Sequence, residues 1–242
     1  MNNLDDRKPT RMPVRGVINS GSLAYKYLLN YDKELLEKPK PIDIIDFISN
    51  YLHLSVINAT MSHPIVEAFI IYSIGNFKDY ESKEIISITP GTIIINKEIQ
   101  NDVYKRYVLA HEAAHWINYR ERPSSINSKY YSCCKNFVER SDLFNKEKFL
   151  SYYEREPDAD LELFADGTAN AITMPATTFL PLASKLMEEY GFSDNRIIEA
   201  SKKNETAEII RKLATTYNVP EFAVKNHLYN FGMFMINEND IL

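Results

Sequence analysis

The chain has almost no cysteine. Cys133 and Cys134 are the only two in 242 residues, and they are neighbours. Adjacent cysteines rarely reach the geometry of an unstrained disulfide, and one pair is too few for a disulfide framework. A reducing, cytoplasmic compartment is therefore expected. Long apolar runs are also missing. No stretch approaches the ~20 residues of a membrane-spanning helix. The opening MNNLDDRKPTRMPVRGV has no apolar segment behind its charges, unlike a secretory signal. Basic excess is absent too: 28 Lys and Arg against 33 Asp and Glu leave a net charge of −5. Non-specific nucleic-acid binding depends on neutralising phosphates, so this balance speaks against it. There is no internal repeat and no low-complexity tract.

Hydrophobic residues make up 45% of the chain, enough for a sizeable core. The length suits one large domain, or a catalytic domain with a small helical companion. Text up to about Gly21 reads as a mobile leader, followed by a short helix over Gly21–Leu36. Pro41 suits the first position of a second helix, Pro41–Leu52, with an apolar stripe of Ile42, Ile45, Ile48 and Leu52. Strands are predicted at Leu54–Asn58, Ala68–Ile74 and Ile85–Asn96. The last contains Pro90-Gly91, a turn signal, and so divides into two strands or a hairpin. An antiparallel or mixed sheet of three or four strands is expected. From Asp102 the period becomes helical and runs to about Arg120. A helix at Asn145–Arg155 is plausible from the pattern. Another spans Asp160–Thr173, ended by Met174-Pro175, and the remainder to Leu242 reads as three or four helices.

Chemistry concentrates in His111-Glu112-Ala113-Ala114-His115. Residues four apart on a helix lie one turn apart on the same face, so both imidazoles can reach one zinc ion. Glu112 sits about 100° round the helix, beside such a metal rather than on it. A carboxylate there can take a proton from an attacking water. The pattern is HExxH. The flanking Val108-Leu109-Ala110 and Trp116-Ile117 predict a buried helix, in which polar side chains need a purpose. A catalytic zinc needs a third protein ligand. In Glu162-Leu163-Phe164-Ala165-Asp166 two carboxylates share one face, and Ala165, Ala169 and Ile172 continue nearly the same stripe. Small residues there permit close approach to the HEAAH helix. Glu162 is read as the third ligand, and Asp166 as the group that orients His111. The competing reading is a solvated acidic face, since Glu154, Glu156, Asp158 and Asp160 lie just upstream.

These two blocks resemble the ImmA/IrrE-type metallopeptidases. The strand-then-helix segment GTIIINKEIQNDVYKRYVLAHEAAHWI and the helix Glu162-x-x-Ala165-Asp166-x-x-Ala169-x-x-Ile172-x-Met174-Pro175 carry the likeness, over roughly residues 41–175. The resemblance implies an α+β, zincin-like fold with a small antiparallel or mixed sheet packed on the HExxH helix. It implies His111, His115 and Glu162 as zinc ligands and Glu112 as general base. It also implies a protein substrate: a helix-turn-helix transcriptional repressor of the kind carried by phages and mobile elements. The stretch between His115 and Glu162 is longer than is usual in the family.

The resulting organisation is a leader and short helix at 1–40, a metallopeptidase domain at 41–180 with an insertion at about 121–158, and a helical region at 181–242. His53 and His63 read as structural or surface residues. His227, Tyr119 or Tyr130 are candidates to stabilise an oxyanion. A helix, a short turn at Tyr217-Asn218-Val219 and a helix from Pro220 have a helix-turn-helix shape. Across Ala176–Leu242 acidic residues outnumber basic ones, which favours a structural or protein-recognition role over DNA reading. The alternative to a peptidase is a DNA- or protein-binding regulator that uses the same domain as sensor or scaffold.

Overall fold

The computed structural model describes residues 12–62, 66–121, 159–192, 196–198 and 202–235. The predicted helix at Asn145–Arg155, Cys133, Cys134, Tyr130, His63 and nearly all of the 121–158 insertion lie outside them. The chain is of mixed α+β class and groups into two compact units. One is Asp43–Ala165; the other joins Met1–Ile42 to Asp166–Leu242. Among the described residues, no helix is long and apolar enough to cross a membrane.

The first unit is built around a buried strand. β1 (Ser55–Ala59) runs parallel to β5 (Thr92–Asn96), and β2 (Ala68–Ile70) runs antiparallel to β5 on its other side. The sheet is thus mixed, with β5 in the middle. Ile93, Ile94 and Ile95 are completely buried, as expected of a central strand covered on both faces. Ile94 joins Ala59, Met61, Ile71, Phe77 and Ile88 in one core cluster. Ile93 and Ile95 point to the opposite face. The long helix α3 (Asp102–Glu121) packs against β2 and β5.

Two strands form a separate hairpin, β3 (Gly75–Lys78) and β4 (Ile85–Ile88). The GNFK strand β3 was not expected, because it lacks β-branched residues and follows the short strand β2. The segments around Pro90-Gly91 are two strands and not a hairpin: β4 pairs with β3, while both edges of β5 are taken by β1 and β2. Gly91 makes this change of sheet with φ of +84°, a left-handed conformation that suits glycine. A Cβ there would also lie 3.1 Å from Leu54 Cδ2.

The predicted helix from Pro41 is shorter. Its Asp43 carboxylate accepts a hydrogen bond from Asp46 N–H at 3.1 Å, so Asp43 and not Pro41 sets the start. The single turn α2 (Ile44–Asp46) widens into a π-helical turn at Phe47–Tyr51. His53, exposed and at φ of 58°, lies in the left-handed region between this turn and β1.

In the second unit, helix α1 covers Val14–Tyr31, so it begins seven residues before the predicted Gly21 and directly after Pro13. The carbonyl of Pro13 accepts from Gly16 and Val17 N–H, and Leu23, Ala24, Tyr27 and Leu28 form its buried face. Asp32 is extended and caps a short 3₁₀ turn at Lys33–Leu36. Helix α4 (Ala159–Thr173) is followed by α5 (Ala176–Glu189), α6 (Lys203–Tyr217) and α7 (Glu221–Asn230). Short strands β6 (Ile197–Ile198) and β7 (Phe234–Met235) pair in parallel. Asn218, in the left-handed region, ends α6, and the buried Val219 links it to α7. His227 is buried here. Its Nε2 lies 2.9 Å from the Met174 carbonyl, and its ring meets the edges or faces of Phe179 and Phe231.

Candidate metal centre

Asn101 starts the helix that carries the first two candidate ligands: its side-chain oxygen accepts from Tyr104 N–H at 2.9 Å. The α3 helix is buried on most of its circumference, including Tyr107, Leu109, Ala110, Ala113, Ala114 and Ile117. Its alanines leave room for neighbours, and its two histidines emerge one turn apart. His111 Nε2 and His115 Nε2 are 3.0 Å from each other, with the rings nearly perpendicular. Glu162, on the first turn of α4, brings Oε2 to 3.1 Å from His111 Nε2 and 3.4 Å from His115 Nε2. All three residues belong to the unit Asp43–Ala165.

These three residues could hold a metal ion, and among the described residues no other group of His, Cys, Asp or Glu does so. The fit can be tested on distances. With ligand bonds of about 2.0–2.1 Å, the edge of a tetrahedral site is roughly 3.3 Å. The observed edges of 3.0, 3.1 and 3.4 Å form one face of such a tetrahedron. Two imidazoles and one carboxylate form a donor set suited to zinc and other first-row divalent ions. The face is not sealed. The His115 side chain is only 7% exposed, but His111 and Glu162 are 18% and 28% exposed, so the site opens on their side.

Electrostatics separate the two glutamates. Burial pushes the Glu162 carboxyl up, yet the imidazoles of His115 and His111 outweigh it and hold it well below the usual carboxylate range. Glu112 is buried, and that burial dominates. Its carboxyl is raised above the ordinary value despite the pull of His115 and His111, with Glu162 adding to the rise. The backbone N–H of Ile70 in β2 donates to Glu112. Sequence patterning gives no sign of this contact, because a backbone amide carries no residue signature. Asp166 follows Glu162 by one turn on the same side of α4.

The oxyanion candidates fare differently. His227 Nε2 is committed to the Met174 carbonyl, and the ring is buried between phenylalanines, so it serves packing instead. The Tyr119 ring packs on Tyr72 and Trp116, at 4.8 and 5.6 Å between centroids. This aromatic group lies just beyond His115 on α3 and was not anticipated.

Comparison with protein-family models, with curated proteins and with solved structures finds no match.

Proposed function

We propose that this protein is a cytoplasmic, zinc-dependent endopeptidase of the ImmA/IrrE type, with a zincin-like catalytic domain and a protein substrate. The observation that carries the reading is the convergence of His111 Nε2, His115 Nε2 and Glu162 Oε2 on one point, with the buried Glu112 carboxyl beside them. A site needed only for structure has no use for that carboxyl.

His111, His115 and Glu162 would hold the ion, each imidazole through Nε2, which leaves the Nδ1 proton to a supporting partner. Asp166 is assigned the orienting role toward His111. When bound, zinc supplies Lewis-acid polarisation of the scissile carbonyl and a lower pKa for the attacking water. Glu112 accepts the proton from that water and delivers it to the leaving amine. Burial raises its carboxyl above the ordinary range, which strengthens it as a base, and the Ile70 N–H donates to it.

A polypeptide substrate is supported by the sheet. Glu67 and Ile71 bond to β5 from one side of β2: Asn96 N–H donates to the Glu67 carbonyl, and Ile71 N–H to Thr92. Ala68 and Ile70 therefore face the outer edge, next to Glu112. Because the Ile70 N–H is taken by Glu112, an extended chain laid along β2 would pair with that edge through Ala68, which is a general mode of peptide recognition. The substrate class we assign is a helix-turn-helix transcriptional repressor. The α6–α7 pair has the same shape, but we give it a structural or protein-recognition role, without direct DNA binding.

The test has two arms. Elemental analysis of purified protein should find about one zinc per chain, lost on His115→Ala. In host cells, new protein N-termini should appear with the wild-type chain and vanish with Glu112→Gln. Metal without any Glu112-dependent cleavage would leave a zinc-binding scaffold; no metal under zinc-replete conditions would end the peptidase reading.

A further inference from the structure

Among the described residues of its own unit, helix α1 carries an apolar face that is left uncovered. Val14, Ile18, Tyr25 and Leu29 are 70%, 61%, 46% and 50% exposed. At 100° per residue they fall within roughly 60° of arc, so they form a single stripe along the helix. Its opposite face, with Leu23, Ala24, Tyr27 and Leu28, is buried within its own unit.

The stripe is symmetric about its own centre. Val14 and Leu29 lie equally far from the midpoint between Gly21 and Ser22, and so do Ile18 and Tyr25. A two-fold interface requires this property: residue i must meet residue j of the other copy, and j must meet i. Antiparallel packing of two copies about that midpoint places Val14 against Leu29, Ile18 against Tyr25, and Gly21 against Ser22.

Gly21 supplies an independent observation. Glycine inside a helix costs about 0.5–1 kcal/mol relative to alanine. The described residues give no reason for it, because a Cβ at Gly21 would meet nothing within 4 Å. Gly16 and Gly167 differ, since a Cβ at either would collide with Met12. A residue without a side chain at the centre of an exposed apolar stripe is explained by a backbone that approaches closely from outside.

We infer that α1 is a homodimer contact, in which a second copy of this chain packs antiparallel across Gly21 and Ser22. One helix face is narrow, so the contact belongs with weak, reversible interfaces. Arg15 and Lys26 flank the stripe on one side, and the two-fold brings these like charges of both copies near each other. Association therefore strengthens as salt rises.

Sedimentation equilibrium of the full chain, from micromolar to submillimolar concentration, tests this. A monomer–dimer equilibrium is expected, favoured by added salt. Ile18→Glu should weaken it by at least about tenfold. Gly21→Leu should do the same, and it has room in the monomer, so folding is preserved; far-UV circular dichroism and thermal melting check that both variants are folded. Ser22→Cys, in a Cys133→Ser, Cys134→Ser background, should form a disulfide-linked dimer on mild oxidation, and Asn30→Cys should not. A chain that stays monomeric throughout, or a dimer untouched by Ile18→Glu and Gly21→Leu, overturns the proposal. A dimer that those variants weaken but Ser22→Cys fails to cross-link overturns the two-fold arrangement.

Discussion

Glu112 and Glu162 feel the same two imidazoles, yet their surroundings assign them different tasks. Glu162 is held as a carboxylate by His115 and His111, in keeping with a ligand. Glu112 is raised by burial, in keeping with a group that takes and returns a proton. Glu162→Ala should therefore weaken zinc binding by roughly a hundredfold or more, beyond the ~10–100-fold typical of an outer partner. Asp166→Ala should fall within that lower range. Competition with a chelator of known affinity reads both, and an unchanged affinity in Glu162→Ala would move the third ligand elsewhere. Glu112→Gln should keep its zinc and lose cleavage by about 10²–10⁴-fold. His227 belongs to stability instead. Burial lowers its pKa to about 4 from 6.5. The unfolded chain takes up that proton near pH 6.5, and the folded chain refuses it until about pH 4. Stability from this residue is thus complete above pH 6.5 and lost as pH falls toward 4, by about 3 kcal/mol. His227→Phe should remove this part of the acid dependence while costing about 1 kcal/mol at neutral pH through the lost bond to Met174. Denaturant melts of both proteins at several pH values measure it.

At the scale of elements, legibility followed periodicity. The α3 and α4 helices could be read to within a residue at each end, because their apolar and alanine stripes repeat at helical spacing. The run TIIIN was readable as a strand. Where a single side chain or a backbone geometry decides, patterning failed. Asp43 displaced Pro41 as the start of a helix, and Pro13 moved the start of α1 ahead of Gly21. The π-helical turn at Phe47–Tyr51 has no residue signature at all. Gly91 joins two sheets where a hairpin was an option, and its left-handed conformation and its contact with Leu54 make it intolerant. Gly91→Ala should destabilise the protein by about 1–2 kcal/mol, from strain at positive φ and the crowded Cβ. A thermal melt equal to that of the native chain would show that Leu54 yields easily.

At the scale of the whole molecule, the site was more legible than the fold that holds it. Helical spacing alone places His111 and His115 on one face, and the small residues of α4 indicate close helix approach, so the three residues that come together could be named in advance. What could not be read was the sheet's part in the site: Ile70 lies 42 residues before Glu112, and only the pairing of β2 with β5 brings its amide there. The division into units was equally hidden, because the N-terminal helix groups with the C-terminal helices and not with its sequence neighbours.

The three buried isoleucines of β5 have another side. In the finished fold Ile93, Ile94 and Ile95 touch no water, and both edges of their strand are occupied. During synthesis neither condition holds until β1 and β2 dock. An uncharged, strongly β-forming window of this kind is the sort from which amyloid-like stacking starts. Pro90, five residues before Ile95, interrupts the window on its N-terminal side, and Lys97-Glu98 charges it on the other, in the manner of gatekeepers. A peptide of residues 85–98 should stay dispersed in water, and the same peptide with Pro90→Val, Lys97→Val and Glu98→Val should fibrillise. The strand that anchors the folded protein is then also the stretch that the unfolded chain must be kept from sharing with its neighbours.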